Sequence, residues 1–351
     1  MVATNLQAEL RRYGAPVNGV IPLNVEPGAV QVPYLDLCTG PQPRRAKPLA
    51  DAIVELNNHP VLYVLRGDPG RDNLERIRDL LSMRGQADHL ALLQPGQLHV
   101  YPLAVGARSW VVKVDSPAAT MTITRLGLAA GPGEDLARHL HDDLLELLTR
   151  TIERVVESVQ IKRDAALSWV SRAVFFRFLV DRGIVRTRHL GKICDAKRLE
   201  DCFANPRAAR ATSAWLKTAF NGDLLPVDDR ARSLRGSQWT GLCDALTNIV
   251  CKAEVSGQTR LEWSTLDFGH LPVGLLSQVY ENYSHRFEPK KALRDSVHYT
   301  PRSLAEYIVS EALYDLPNAS MARVLDPACG AGVFLVASFR ALVRARWEES
   351  G

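Results

Sequence analysis

Residues 324–335 read VLDPACGAGVFL: an apolar run closes on an acid and a proline, passes through small residues and turns apolar again. Just upstream, ARVL is the kind of short apolar run that parallel sheets bury. Downstream, FLVASFRALVRA carries its apolar residues at helical spacing. The expectation over 322–345 is therefore strand, turn, helix. Gly330 and Gly332 let the backbone turn sharply and approach a ligand with no side chain in the way. Ligands of open α/β sheets sit at the carboxyl ends of strands, where this turn falls. A nucleotide-like cofactor is expected here, against the alternative of a tight turn with no ligand. The turn is not G-x-G-x-x-G, because Leu335 stands third after Gly332, and it is not a phosphate loop, because no lysine follows.

Upstream, HYTPRSLAEYIV places Thr300 as an N-cap and Pro301 in the first turn of a helix whose apolar face is Leu304, Tyr307, Ile308, Ala312 and Leu313. Charged residues 288–294 read as a loop before it. Further back, Leu136, Leu140, Leu144, Leu147, Leu148, Ile152, Val155, Val156 and Val159 recur at spacings of three and four. A second helix runs through ALSWVSRAVFFRFLVDRGIV and should stop at Gly183. Ser213–Phe220, Gln238–Val250 and Val273–Tyr283 also read as helical, which makes 134–290 a mainly helical domain. Gly131-Pro132-Gly133 breaks the pattern and bounds it on the amino-terminal side. Residues 1–128 read as a small α/β unit. HPVLYVLRG is a strand ending at Gly67, a helix opened near Asp68-Pro69 or Asp72 ends at Gly85, two strands flank a type II turn at Gln94-Pro95-Gly96-Gln97, and RSWVVKVDS is a further strand.

Composition sets limits on function. The 351 residues are 46% hydrophobic and 23% charged, ordinary for a globular protein with two or three domains. No secretory h-region and no spanning-length apolar stretch occur, so a cytoplasmic protein without a membrane contact is expected. The six cysteines lack any C-x-x-C, and the spacing of eight between Cys194 and Cys202 or Cys243 and Cys251 is not a zinc spacing, so incidental thiols and no metal are expected. Net charge is +4, yet Ile161–Arg210 holds twelve Lys/Arg against five Asp/Glu. This surplus fits either a polyanion-binding face or a solvated helical face. Arg182, Arg186 and Arg188 are its candidate DNA contacts. Arg172 and Arg177 adjoin apolar helix residues and are expected to support packing instead.

DPACGAGVFL resembles the S-adenosylmethionine motif of N6-adenine DNA methyltransferases, and HYTPRSLAEYIV resembles the motif that precedes it in that family. LSQVYENY resembles the helix ahead of that motif. SRAVFFRFLVDRGIV resembles a helix in the amino-terminal helical domain of type I modification subunits and single-chain restriction-modification or phage-defence enzymes. The resemblance covers roughly 160–345 and is strongest over the last fifty residues. It implies the first βα unit of a Rossmann-like methyltransferase fold over 296–351, with S-adenosyl-L-methionine as cofactor and double-stranded DNA as substrate. It also implies that Tyr299, Thr300 and Pro301 cradle the methionine end of the cofactor, and that Asp326, Ala328, Cys329, Gly330, Ala331 and Gly332 form the cofactor loop. A specificity or restriction subunit, or a second chain carrying the catalytic half, is the implied partner.

The chain departs from the family in one respect. Asn or Asp followed by Pro-Pro-aromatic, which binds the flipped adenine, does not occur. NPR at Asn205, NHP at Asn58 and DSP at Asp115 all fail the pattern. The expectation is an amino-terminal portion of a methyltransferase, with its catalytic motif downstream of Gly351, marginal stability over 296–351, exposed apolar surface around Val324, Leu325 and Val333, and weak cofactor binding. Two rivals stand beside it: an RNA or protein methyltransferase fragment, and a non-catalytic DNA-binding or assembly subunit. A magnesium nuclease in 1–128 is disfavoured, since Val111 occupies the acid position before Lys113 and Glu288-Pro-Lys lies in a loop.

Overall fold

The computed structural model describes residues 2–39, 49–56, 59–103, 108–128, 132–220, 234–251, 262–271, 279, 283, 285–287, 300, 302–329 and 332–350. Two compact units emerge: residues 1–141 together with 272–351, and residues 142–271.

The amino-terminal part of the first unit is α1 (Val2–Arg11), β1 (Val20–Pro22), α2 (Leu35–Thr39), β2 (Ala52–Leu56), β3 (His59–Arg66), α3 (Arg71–Ser82), β4 (His89–Gln94), β5 (Gln97–Pro102), β6 (Trp110–Lys113) and α4 (Thr122–Leu128). The strands form one sheet in sequence order. Every neighbouring pair is antiparallel except β3 and β4, which run parallel with Leu62 opposite His89 and Arg66 opposite Leu93. A parallel pair needs a crossover, and α3 supplies it. The expected turn between β4 and β5 forms, with Gly96 at φ 76° where a type II turn requires a positive angle. Period-two alternation divides the side chains between two cores. Val54, Leu62, Val64 and Val100 lie with Leu6 and Leu10 of α1 and Ile123 of α4. Ile53, Tyr63, Leu90 and Leu92 lie with Leu37 of α2 and with Ile77 and Leu81 of α3. A sheet covered on both faces by helices is an α/β architecture.

The helical unit contains most of α5 (Pro132–Val159), α6 (Arg163–Asp181), α7 (Thr187–Cys194), α8 (Pro206–Ala219) and α9 (Gly236–Val250). The apolar stripe of α5 is buried at Leu144, Leu147, Leu148, Ile152, Val155 and Val159. α6 ends where expected, with Gly183 at φ 69°. α8 begins seven residues before the expected Ser213. Asn205 caps it by accepting from the Ala208 amide at 2.9 Å, and Pro206 fills the first turn.

α6 buries two arginines. The Arg177 side chain is fully buried and donates to the carbonyls of Ile249 (2.7 Å) and Trp263 through Nη1, to Leu266 through Nη2, and to Asp181 through Nε at 3.4 Å. Arg172 donates to the Ser213 carbonyl at 2.9 Å and to its hydroxyl. Both fulfil the packing role expected for them.

The carboxyl-terminal segment comprises α10 (Arg302–Tyr314) and α11 (Val333–Ser350). Ala305 and Val309 of α10 are buried, and they share a cluster with Ala337, Val333 and Phe334 of α11. The expected apolar face is only partly used, since Leu304, Tyr307 and Ile308 are exposed. α10 is apolar on two sides, and the small residues Ala305 and Ala337 allow the closer helix contact. Residues 322–326 form no ladder, so the expected strand has no partner among the described residues. The helix expected over 273–283 lies outside the described residues except at 279 and 283, as does the loop 288–294.

Arg177→Ala should destabilise the helical unit by about 3–5 kcal/mol, because it leaves Asp181 buried beside unmatched carbonyls. Urea denaturation measures this. Full retention of stability would remove Arg177 from its structural role.

Candidate functional site

The turn joining 322–326 to α11 is built from local hydrogen bonds. Asp326 Oδ1 accepts from the Ala328 amide at 3.0 Å. The Gly332 amide donates to the Cys329 carbonyl at 2.6 Å, and the Gly332 carbonyl accepts from Val336 at 2.9 Å, which starts the ladder of α11. Gly332 holds φ at 79°, and a Cβ placed on it would meet nothing within 4 Å. The turn therefore leaves open space at its glycine, and the first amides of α11 have no helical acceptors.

Asp326 Oδ2 is buried and has no hydrogen-bond partner among the described residues. An orphaned buried carboxylate oxygen beside an open glycine turn is a ready acceptor for a ligand ammonium or hydroxyl. Ala328 and Cys329 are exposed on the same turn. Phe334 is partly buried and packs against the cluster between the two helices.

Thr300 is half-buried, two residues before the first residue of α10. Tyr299, Pro301, Gly330 and Ala331 lie outside the described residues. The connection from α10 places Ser320 against Glu349 at 2.5 Å and Met321 Sδ 3.3 Å from Arg346, both near the carboxyl end of α11. Residues 322–329 then return to the start of that helix. Glu306, in the second turn of α10, pairs with Arg340 in the first half of α11, and the connection leaving α10 meets the opposite end of α11. α10 and α11 thus run the same way. Thr300 and the 326–332 turn fall at one end of the pair, held by the Ala305–Val309–Ala337 contact and an Arg340–Glu306 ion pair at 3.6 Å.

Of the three arginines proposed for DNA contact, the structure separates one from the others. Arg182 donates from Nε to the Phe268 carbonyl at 3.1 Å and from Nη2 to Leu271, and its guanidinium lies 5.2 Å from the Phe178 ring centroid. It braces the loop after residue 262. Arg186 and Arg188 flank the start of α7, exposed. Sequence spacing could not separate Arg182 from these two, because its acceptors lie more than eighty residues away.

Among the described residues no group of three or more His, Cys, Asp or Glu is placed to hold a metal ion. No helix among them is long and apolar enough to cross a membrane.

Residues 273–350 match the N-6 DNA Methylase family. The match contains the whole turn, α10 and α11, and it spans well under half of the chain. No curated protein matches the chain. A solved structure described as a cryo-EM DrdV–DNA complex aligns with 99% of this chain and 33% of its own, at 14% identity and a TM-score of 0.30. The present chain thus spans about a third of that one, and a likeness this slight carries no argument.

Arg182→Gln should lower stability by about 1–3 kcal/mol, since buried carbonyls lose their donors. Arg186→Gln and Arg188→Gln should each stay within about 0.5 kcal/mol of the parent. Thermal melts of the three variants separate these cases, and an unaltered Arg182 variant would return that residue to the DNA-contact group.

Proposed function

We propose that this chain contributes to a site-specific DNA methyltransferase that transfers a methyl group from S-adenosylmethionine to the N6 amino group of adenine, as in restriction-modification or phage defence. The match of residues 273–350 with the N-6 DNA Methylase family carries this reading. The orphaned Asp326 oxygen and the open Gly332 turn support it, because they fit the cofactor's ammonium and its need for close backbone approach.

When bound, S-adenosylmethionine supplies the electrophilic methyl group. Asp326 would accept from the cofactor's ammonium. The amino end of α10, with Thr300 ahead of it, would present donors to the methionine carboxylate, for which the positive end of a helix dipole is suited. Tyr299 and Pro301 would flank that contact. Gly330, Ala331 and Gly332 would leave room for the nucleoside, with Ala328 and Cys329 on the approach. No residue among the 351 is assigned to adenine, since no Asn/Asp-Pro-Pro-aromatic element occurs in them. The basic stretch of the helical unit, through Arg186 and Arg188, would contact the duplex backbone.

The direct test is transfer of a radiolabelled methyl group to duplex DNA by the natural protein. Label recovered as N6-methyladenine is expected, and label in RNA or polypeptide would overturn the substrate assignment. Gly332→Asp should weaken S-adenosylmethionine binding at least ~100-fold in calorimetry with an unchanged circular dichroism spectrum, because its side chain fills the open space and adds a negative charge.

DNA binding should depend steeply on salt and little on sequence. Replacing Arg186 and Arg188 together by Gln should reduce the log–log salt slope by about 2, one for each phosphate that is no longer neutralised. An unchanged slope in filter-binding titrations would leave these residues as a solvated face.

A further inference from the structure

The α/β unit has a cavity of its own, and the methylase match, which begins at residue 273, does not account for it. The cavity measures about 540 Å³ and opens at the carboxyl ends of β3 and β4, beneath α1. Small-molecule sites commonly occupy 300–1,000 Å³. β3 and β4 are the single parallel pair of the sheet, and the carboxyl ends of parallel strands are where α/β sheets open a crevice.

The residues around it are unusual for a strand end. Leu62 and Val64 of β3 point into the core that contains α1, while Tyr63 and Leu65 point into the other. Arg66 continues the Leu62–Val64 series, so a guanidinium stands where the alternation calls for an apolar side chain. It is only 28% exposed, and it meets Glu9 of α1 at 3.1 Å. Arg12 lies one turn beyond Glu9, exposed on the same rim. Among the described residues that line the cavity, Glu9 is the one acid beside Arg12 and Arg66.

The floor is open backbone. Gly67 and Gly96 hold φ at 78° and 76°, and a Cβ on either would meet nothing within 4 Å. Gly67 is tied to β4 through its amide, which donates to the Leu93 carbonyl at 3.1 Å, so the two strand ends are fixed relative to each other. Pro95 and Val114 add apolar wall.

We propose that this cavity binds a nucleotide through its phosphate. The phosphate sits between Arg12 and Arg66, and the sugar or base lies over the glycine floor against Pro95 and Val114. Arg66 keeps its bond to Glu9 and offers its remaining donors to the ligand, since a guanidinium has five. The cavity is far larger than an inorganic anion requires, which favours a nucleotide over phosphate alone.

Calorimetry on the full chain with inorganic phosphate, adenosine monophosphate and a 5′-phosphorylated DNA oligonucleotide tests this. Binding of the mononucleotide, the oligonucleotide or both supports the site, and the two arms distinguish a free nucleotide from a DNA strand. Arg12→Gln should weaken that binding by about tenfold, the effect of removing one charge-assisted hydrogen bond, with an unchanged melting temperature. Arg66→Lys, which retains the charge and loses the fork, should weaken it similarly. Gly332→Asp should leave it untouched, which keeps this test separate from the cofactor turn. The proposal fails if neither nucleotide probe binds, if inorganic phosphate alone binds, or if Arg12→Gln binds as the parent does.

Discussion

Arg177 carries a positive charge at a position with no access to water. Burial pushes its pKa down, Asp181 and Asp267 act against that shift, and an arginine stays protonated in such surroundings. The charge is tolerated because it is solvated by protein. Ile249 and Cys251 lie at the carboxyl end of α9, where helix carbonyls lack amide partners and the dipole is negative. Trp263 and Leu266 add carbonyls from the following segment, and the Phe268 ring lies 5.3 Å from the guanidinium. Asp181 closes the arrangement by accepting from the Phe268 amide at 3.1 Å. One side chain thus ties the carboxyl end of α9 to residues 263–266. Arg182 repeats the device on Phe268 and Leu271.

In the α/β unit the organising constraint is the parallel junction. Antiparallel strands joined by tight turns can form a sheet with one face open, but the β3–β4 pair requires α3 to cross over it. That crossover covers one face, and α1 with α4 covers the other. The junction also brings the Arg66 and Gln94 ends of neighbouring strands together on one side of the sheet, which opens the cavity there.

The turn at 326–332 combines a local and a longer-range feature. Its shape is local: an aspartate binding an amide two residues on, then a glycine with positive φ leading into a helix. Its placement depends on the pairing of α10 with α11 through Ala305, Val309 and Ala337. Small residues permit that approach. They leave the bulkier Leu304, Tyr307 and Ile308 outside, and Leu325 on the unpaired segment is 85% exposed.

The sequence by itself determined the elements whose signal is periodic or rests on glycine and proline chemistry: the stripe of α5, the stop of α6 at Gly183, the β4–β5 turn at Gly96, and the turn at Gly332. It missed α1, whose polar residues mask the buried Leu6 and Leu10, and the short strands β1 and β2. It set Arg177 apart as a packing residue but grouped Arg182 with Arg186 and Arg188. Only folding shows that Arg182, like Arg177, reaches carbonyls more than seventy residues away, whereas Arg186 and Arg188 are exposed. The cysteines make the same point. A spacing of eight suggests no relation, yet folding brings the two thiols near enough for Cys202 to pull the Cys194 pKa down. Local patterns report which face of an element is apolar. The partner of a buried polar group lies on another element, and its identity enters only through the tertiary structure that satisfies it.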